Sequence, residues 1–178
     1  VINYLRKHFI ENGCTEPKYH PLSRPARWEA EAVNRMIHLA AMAGDAPLYI
    51  VHLSSREGLM EVLKARASHQ KHLGVETCTQ YLTLTDDMYQ DPKEGLKAIM
   101  SPPLRKKEDN EALWDALRDD VLDTVATDHC PFNYGVEKQA GADDFTACPN
   151  GGPGVEERFR VMYSEGVAKG RISLPQFV

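Results

Sequence analysis

Apolar positions along the chain follow two different spacings, which predict helices and strands in alternation. Helical spacing of apolar residues marks the ranges 1–12, 26–43, 56–67, 108–118 and 154–168. Short apolar runs at 47–53, 74–82 and 122–127 are typical of strands buried on both faces. Strands that are separated by helices predict parallel βαβ units, so the pattern indicates an α/β fold.

Three parallel strands alone leave both edges of a sheet open, and a larger sheet or a closed barrel is the natural completion. His52 and Asp128 each come at the end of an apolar strand. In a (β/α)8 barrel the carboxyl ends of the strands carry the active site. The chain also opens at Val1 inside an amphipathic segment and stops soon after Pro175. We therefore expect one partial domain, 1–178, truncated at both ends.

Composition places the chain among ordinary globular proteins. It is 42% hydrophobic and 26% charged, which argues against disorder, and its net charge of −5 gives no electrostatic reason to expect nucleic acid or membrane as a partner. No apolar run approaches the ~20 residues that span a bilayer, and no signal peptide is evident. The four cysteines form no CxxC pair, which favours reduced thiols in the cytoplasm.

His52 is the first candidate for chemistry. It lies in the segment YIVHLSS, where an imidazole follows three apolar residues. A buried histidine is costly unless its nitrogens find partners, so His52 is either a core histidine that is bonded to backbone or a ligand at the end of a strand.

Asp128 is the second candidate, in VATDHCPF. A carboxylate directly after a buried strand needs a cation, a helix N-terminus or several donors, and a loop-closing Asx turn is the alternative. The adjacent His129 points to the opposite face of a strand, so a catalytic triad is not expected. An imidazole with a carboxylate suits zinc, manganese or iron better than calcium.

Two rigid loops add candidate binding residues. Ser101 begins SPPLR, where two prolines restrict the backbone, and Asn150 lies in PNGGPG, where glycines allow close approach. Rigid polar backbone of this kind is what recognition of a cyclic amide needs, although ordinary turn chemistry is the favoured explanation of either motif alone.

The remaining polar residues receive plainer interpretations. Glu76 either supports a ligand through a second contact or closes a structural network. Cys78 has no evident base, so a cysteine nucleophile is disfavoured. Four other histidines are interpreted as solvated residues on helices or at helix ends: His8, His38, His69 and His72. His20 is interpreted as part of a proline-rich loop.

Seven segments in order give the chain a specific resemblance. They are YHPLSRP, LYIVHLSS, ETCTQYL, SPPLR, VATDHCPF, DDFTACPNGGPGVEER and GRISLPQFV. Together they resemble the dihydropyrimidinase/D-hydantoinase family of the amidohydrolase superfamily, with the bacterial, phenylhydantoinase-like branch nearest. The resemblance covers nearly the whole chain. One departure is Thr79, where the family usually has proline, and this position is not a ligand position.

The resemblance implies a fold and a set of roles. The chain would be the C-terminal half of a (β/α)8 barrel, about strands six to eight. His52 and Asp128 would be metal ligands, and Asp128 would also be the general base and acid of cyclic-amide hydrolysis. Ser101 and Asn150 would hold the cyclic amide through backbone groups. The resemblance further implies two zinc ions per subunit, with the other ligands upstream of Val1, and a homotetramer.

Other activities stay open from the sequence. Dihydroorotase or allantoinase chemistry would use a similar barrel, although PNGGPG and CPF favour the hydantoinase branch. A non-catalytic scaffold of the same family is a further alternative, and the isolated fragment is expected to be inactive.

Overall fold

A computed structural model describes residues 1–68 and 70–178, so the interpretation of His69 as solvated lies outside the described residues. The strands are β1 (Leu48–Ile50), β2 (Leu73–Cys78) and β3 (Thr124–Ala126). The helices are α1 (Ile2–Glu11), α2 (Tyr19–Leu22), α3 (Ala26–Met42), α4 (Arg56–Ala67), α5 (Thr79–Thr83), α6 (Pro92–Ala98), α7 (Lys107–Arg118), α8 (Arg158–Val161) and α9 (Leu174–Phe177). Short 3-10 turns cover Asp86–Gln90, Lys138–Gly141 and Phe145–Ala147.

The three strands form one parallel sheet in the order β1-β2-β3. Tyr49 lies opposite Gly74 across the first pair, and Glu76 lies opposite Thr124 across the second. Helix α4 joins β1 to β2, while α5 to α7 join β2 to β3. The predicted α/β class and the parallel βαβ units are confirmed.

One face of the sheet carries the core. Ile50, Val75 and Thr77 point to this face and are buried. Helices α3, α4 and α7 cover it with apolar side chains, among them Val33, Leu59, Val62, Leu113 and Trp114. The amphipathic spacing that predicted these helices is explained by this packing.

The opposite face of the sheet is open. Tyr49 is 48% exposed and Val51 is 47% exposed, and Thr124 is also exposed. The prediction that the strands are buried on both faces is therefore wrong for β1 and β3, because the described helices pack on the other face. Both strands are also shorter than predicted, and His52 and Asp128 each lie two residues beyond their strand.

Two further expectations need correction. His20 does not lie in a proline-rich loop: it belongs to α2 and is 1% exposed, with its ring near Tyr89 and Phe145. The helix predicted from residue 154 begins only at Arg158 and continues as a π-helical turn over Met162–Val167. It starts late because the N–H groups of Gly154 and Val155 donate to Nδ1 of His129.

Other predictions hold. Ser55 caps α4 by accepting a hydrogen bond from the N–H of Gly58, and α1 ends just before Gly13, whose φ is +73°. His8, His38 and His72 are exposed, as expected. Among the described residues, no helix combines the length and the apolar character that crossing a membrane requires.

Candidate active site at the carboxyl ends of the strands

His52 occupies a strained position just after β1. Its φ is +42°, in the left-handed region that residues other than glycine rarely adopt. Its N–H donates to Oε1 of Glu76 at 3.3 Å, and the next residue, Leu53, donates its N–H to the carbonyl oxygen of Glu76 at 2.8 Å. Strained backbone of this kind persists where the surroundings hold it and is concentrated at functional sites.

A largely buried carboxylate fixes the turn after His52. Glu29 of α3 accepts from the N–H of Ser54 at 3.0 Å and from its hydroxyl at 2.9 Å, and it also accepts from the hydroxyl of Ser55. The guanidinium Nε of Arg105 donates to the Ser54 hydroxyl at 3.1 Å. Since Arg105 ends the SPPLR segment, this network joins the His52 turn to the segment that contains Ser101.

Glu76 closes a structural network, which is one of the two roles left open for it. Besides the His52 contact, its Oε2 accepts from the hydroxyl of Tyr49 at 3.0 Å. The same hydroxyl lies 2.6 Å from Oγ1 of Thr124 on β3. The ring of Tyr49 reaches across β2 because Gly74 leaves room for it: a Cβ there would lie 2.6 Å from the ring. Glu76 thus supports the His52 backbone and ties the three strands together.

Asp128 mirrors His52 at the end of β3. Its φ is +47° and it is exposed. The following residue, His129, forms a parallel bridge with Gly152, and its Nδ1 accepts from the N–H of Gly154 at 3.1 Å. The N–H of Cys130 donates to the Gly152 carbonyl at 3.0 Å. The PNGGPG loop is therefore bound directly to the segment that carries Asp128.

Gly151 shows why this loop needs glycine. Its φ is +151°, and a Cβ there would lie 2.4 Å from the carbonyl oxygen of Cys130. No other residue fits this close approach without displacing one of the two segments. The N–H of Gly151 also donates to the carbonyl of Ile99 at 3.0 Å, which brings the SPPLR region into the same contact group.

Ser101 and Asn150 lie next to each other. The hydroxyl of Ser101 donates to Oδ1 of Asn150 at 2.7 Å, and Nδ2 of Asn150 donates to the carbonyl of Cys148 at 3.1 Å. Ser101 is exposed and Asn150 is half-buried, so both border solvent at the strand ends. The peptide bond between Ser101 and Pro102 is cis.

Cys78 is unsuited to nucleophilic catalysis. It is fully buried at the end of β2, and burial, with smaller contributions from the charges of Glu76 and Asp128, raises the pKa of its thiol to about 12. A thiol with this pKa stays protonated near neutral pH, and the thiolate is the reactive form. The expectation that Cys78 is not a nucleophile is supported.

The metal-binding potential of the strand ends is partial. Within residues 1–68 and 70–178, no group of three or more His, Cys, Asp and Glu side chains is placed to hold a metal ion. His52 and Asp128 lie at the same end of the two strands that flank β2. An imidazole and a carboxylate are suitable donors for zinc, so the pair fits as part of a donor set and not as a complete one.

Several residues of this region gave no signal in the sequence. Arg105 and Glu29 are both largely buried and are linked through the Ser54 hydroxyl. In the sequence, a lone arginine after SPPL is indistinguishable from a solvated one. Gln80 of ETCTQYL donates to the carbonyl of Thr127, just before Asp128, at 3.4 Å. Lys138 is almost fully buried inside what the sequence presents as a polar loop.

Comparison with known proteins places these features in a family. No family model matches the chain. A D-phenylhydantoinase of Escherichia coli O1:K1 is 52% identical over 173 residues, which are 97% of this chain and 37% of that protein. The structure of dihydropyrimidinase from Brevibacillus agri NCHU1002 superimposes with a TM-score of 0.96 at 46% identity, covering 99% of this chain and 38% of that one. An L-hydantoinase (dihydropyrimidinase) from Arthrobacter aurescens gives a TM-score of 0.89 at 30% identity, again over 99% and 38%.

The fold is that of the hydantoinase and dihydropyrimidinase structures that the chain matches. The chain belongs to the dihydropyrimidinase/D-hydantoinase family, and it spans about 37% of the length of the curated relatives that it matches.

Proposed function

We propose that this chain forms three strands of a (β/α)8 barrel that hydrolyses cyclic amides of the hydantoin and dihydropyrimidine type. The observation that carries the proposal is the arrangement at one end of the sheet. His52 and Asp128 follow two strands in strained conformations, and the paired Ser101 and Asn150 lie in loops that bind to the Asp128 segment. The family to which the chain belongs supplies the reaction class.

The open face of the sheet supports a barrel. Tyr49, Val51 and Thr124 are exposed there, on the side away from α3, α4 and α7. In a closed barrel this face becomes the interior, where side chains from neighbouring strands fill the space. The strands β1 and β3 are the sheet edges of the described part, and closure would pair them with further strands.

Zinc is the metal that the proposal assigns to the site. His52 and Asp128 would contribute two of its ligands, and the remaining ligands of a two-zinc centre would come from outside this chain. Bound zinc supplies polarisation of the amide carbonyl and activation of water near neutral pH. The half-exposed imidazole and the exposed carboxylate at the strand ends are accessible for such binding.

Asp128 has the proton-transfer role in this proposal. Its carboxylate would take a proton from the attacking water and deliver a proton to the ring nitrogen as the C–N bond breaks. The backbone groups around Ser101 and Asn150 would hold the ring amide, so that the carbonyl carbon faces the attacking oxygen. The contact of 2.7 Å between these two residues keeps the two binding segments in register.

We propose a small cyclic amide as the substrate and assign no role to nucleic acid or membrane. The four cysteines are free thiols in the structure, which is compatible with the reducing cytoplasm that we propose as its location. We also propose the homotetramer that the family resemblance implies.

Ring opening by the full-length protein tests the proposal. Hydantoin, a 5-substituted hydantoin, dihydrouracil, dihydroorotate and allantoin are compared at equal concentration with zinc-loaded protein. We expect turnover of the first three and little of the last two. Activity confined to dihydroorotate or allantoin would move the protein to another branch, and zinc-loaded protein that opens none of the five rings would contradict cyclic-amide hydrolysis.

Zinc content separates the enzyme from a binding scaffold. We expect two zinc ions per subunit of the full-length protein. A protein that folds but retains no zinc under the same conditions would be a scaffold.

A further inference from the structure

Lys138 is a charged side chain enclosed in the loop between Pro131 and Gly152. It begins the 3-10 turn Lys138–Gly141 and is 2% exposed. Its Nζ donates to the carbonyl oxygen of Ile99 at 2.7 Å and to that of Pro149 at 2.9 Å. One ammonium group therefore joins two chain segments that are far apart in sequence.

The surroundings of Lys138 make this burial unusual. Its ammonium lies 5.7 Å from the centre of the Phe132 ring, and no acidic group within the described parts of the chain forms an ion pair with it. Burial lowers the pKa of Lys138 below its ordinary value. An ammonium removed from water is costly, and here backbone carbonyls replace the lost hydration.

The two carbonyls have a specific place in the fold. Pro149 directly precedes Asn150, and Ile99 lies two residues before Ser101. The N–H of Gly151 donates to the same Ile99 oxygen at 3.0 Å, and the side chains of Ser101 and Asn150 meet at 2.7 Å. Lys138 thus joins the two segments just before Ser101 and Asn150, the residues that border solvent.

Other buried side chains hold only one of these segments. The carbonyl of Ala98 accepts from the hydroxyl of Tyr89 at 2.9 Å, that of Met100 lies 2.7 Å from Nε2 of His20, and that of Pro102 accepts from the hydroxyl of Tyr81 at 2.8 Å. These contacts fix the segment 98–102 without reaching the PNGGPG loop. Among the side-chain donors to this segment in the described chain, Lys138 is the one that also binds the second segment.

We propose that Lys138 is a positioning residue that sets the distance and orientation between the Ser101 and Asn150 segments, and thereby the geometry in which the cyclic amide is held. This inference rests on the proposed function for its substrate. Lys138 is buried and donates to the carbonyls of Ile99 and Pro149, whereas Ser101 is exposed, so Lys138 acts through the backbone and not on the substrate.

Kinetics of Lys138→Met in the full-length protein test the inference. Methionine keeps much of the volume and removes the donor, so we expect KM for a hydantoin to rise about tenfold or more, since small misplacements of binding groups have large effects. The turnover number should fall much less, and zinc content should stay unchanged. Lys97→Met is the matched control, because Lys97 is exposed and pairs with Glu94 at 2.7 Å, and it should leave KM unchanged.

Hydrogen–deuterium exchange gives a readout that does not depend on the substrate. Lys138→Met should speed amide exchange in the ranges 98–102 and 148–152, whereas the helix α3 should exchange as in the unmodified protein. Faster exchange in both ranges together with a wild-type protein that opens no cyclic amide would sustain the positioning role and remove the proposed function.

Two outcomes would overturn the inference. One is a folded Lys138→Met protein with unchanged KM and unchanged exchange in both ranges. The other is a lowered melting temperature with unchanged KM, which would make Lys138 a purely structural residue. If Lys138→Met does not fold, Lys138→Gln carries the same test, because its shorter amide side chain weakens the bridge without removing every donor; we expect a KM above that of the wild-type protein, and an unchanged KM would overturn the inference.

Discussion

The two halves of the candidate site differ in how much of them this chain supplies. His52 and Asp128 follow two separate strands and form an incomplete donor set within the described chain. In contrast, Ser101 and Asn150 are hydrogen-bonded to each other. The buried Lys138 donates to a backbone carbonyl of each of their segments. In the proposed site, the amide-holding half would be organised within this chain, whereas the metal-binding half would depend on further ligands.

The two halves also differ in how their backbone is held. The His52 turn is fixed by side-chain carboxylates, those of Glu76 and Glu29. The amide-holding half is fixed mainly by donors to backbone carbonyls, with Gly151 allowing the close approach. Substitutions that remove a charge should therefore disturb the first half most. Substitutions that change the space available to the backbone should disturb the second half most.

Removal of the Asp128 carboxylate should have the largest effect. Asparagine tolerates the left-handed backbone at this position, so Asp128→Asn should fold, and it should lower kcat by about 10²–10⁴-fold, the range typical of a lost general base or acid. The measurement is hydantoin turnover with zinc content determined in the same sample.

The control for this substitution is Asp120→Asn. Asp120 also has a positive φ, of +54°, but it lies before β3, at the opposite end of the sheet. It should keep wild-type activity. Near-normal turnover of Asp128→Asn with metal bound would exclude the proton-transfer role.

Gly151→Ala should damage the amide-holding half next. The new Cβ would lie 2.4 Å from the Cys130 oxygen, and the φ of +151° is unfavourable for alanine, so we expect a loss of about 1–3 kcal/mol in stability or a raised KM as the loop shifts. Melting temperature and KM are measured together.

Gly152→Ala is the neighbouring control for this change. A Cβ at Gly152 meets only the Met100 side chain at 3.5 Å, which is ordinary contact. Equal effects of the two substitutions would show that the close approach at Gly151 is not what fixes the loop.

Acid should destabilise the fold through His20. Burial lowers the pKa of His20 from 6.5 to about 3, so the folded state keeps it neutral while the unfolded chain binds a proton. This contribution is fully present above pH 6.5 and is lost as the pH falls toward 3, at up to about 1.4 kcal/mol per pH unit. Denaturant unfolding at several pH values measures it.

His20→Gln should flatten this pH dependence, because glutamine does not titrate and can still donate to the Met100 carbonyl. His38→Gln is the control, since His38 is exposed on α3 and should leave the profile unchanged. Parallel pH profiles for wild type and His20→Gln would mean that the buried imidazole is not the source of the acid sensitivity.

Loss of the Tyr49 hydroxyl should give the smallest effect. Tyr49→Phe removes contacts to Glu76 and Thr124 on a solvent-exposed face, so the expected loss is about 0.5–1 kcal/mol in unfolding free energy. Tyr163→Phe is the matched control, because Tyr163 has nearly the same exposure, 49% against 48%. A larger loss at Tyr163 would show that the Tyr49 bridge does not hold the strands together.

The sequence predicted the parts of the molecule that depend on local pattern. Helix α4 begins where Ser55 was expected to cap it, and His52 and Asp128 lie after strands as expected, because polar residues end the apolar runs. The open face of the sheet could not be predicted, because Tyr49 and Val51 have the same apolar character whether or not a partner covers them. Lys138 was missed since nothing in its neighbours distinguishes a buried lysine from a solvated one.

Zinc content of three full-length proteins tests the division into two halves most directly. Wild-type protein should hold two zinc ions per subunit, His52→Ala should lose one or both, and Lys138→Met should retain both although it binds the cyclic amide weakly. Full zinc retention in His52→Ala, or zinc loss in Lys138→Met equal to that in His52→Ala, would contradict the assignment of metal binding and amide binding to separate halves.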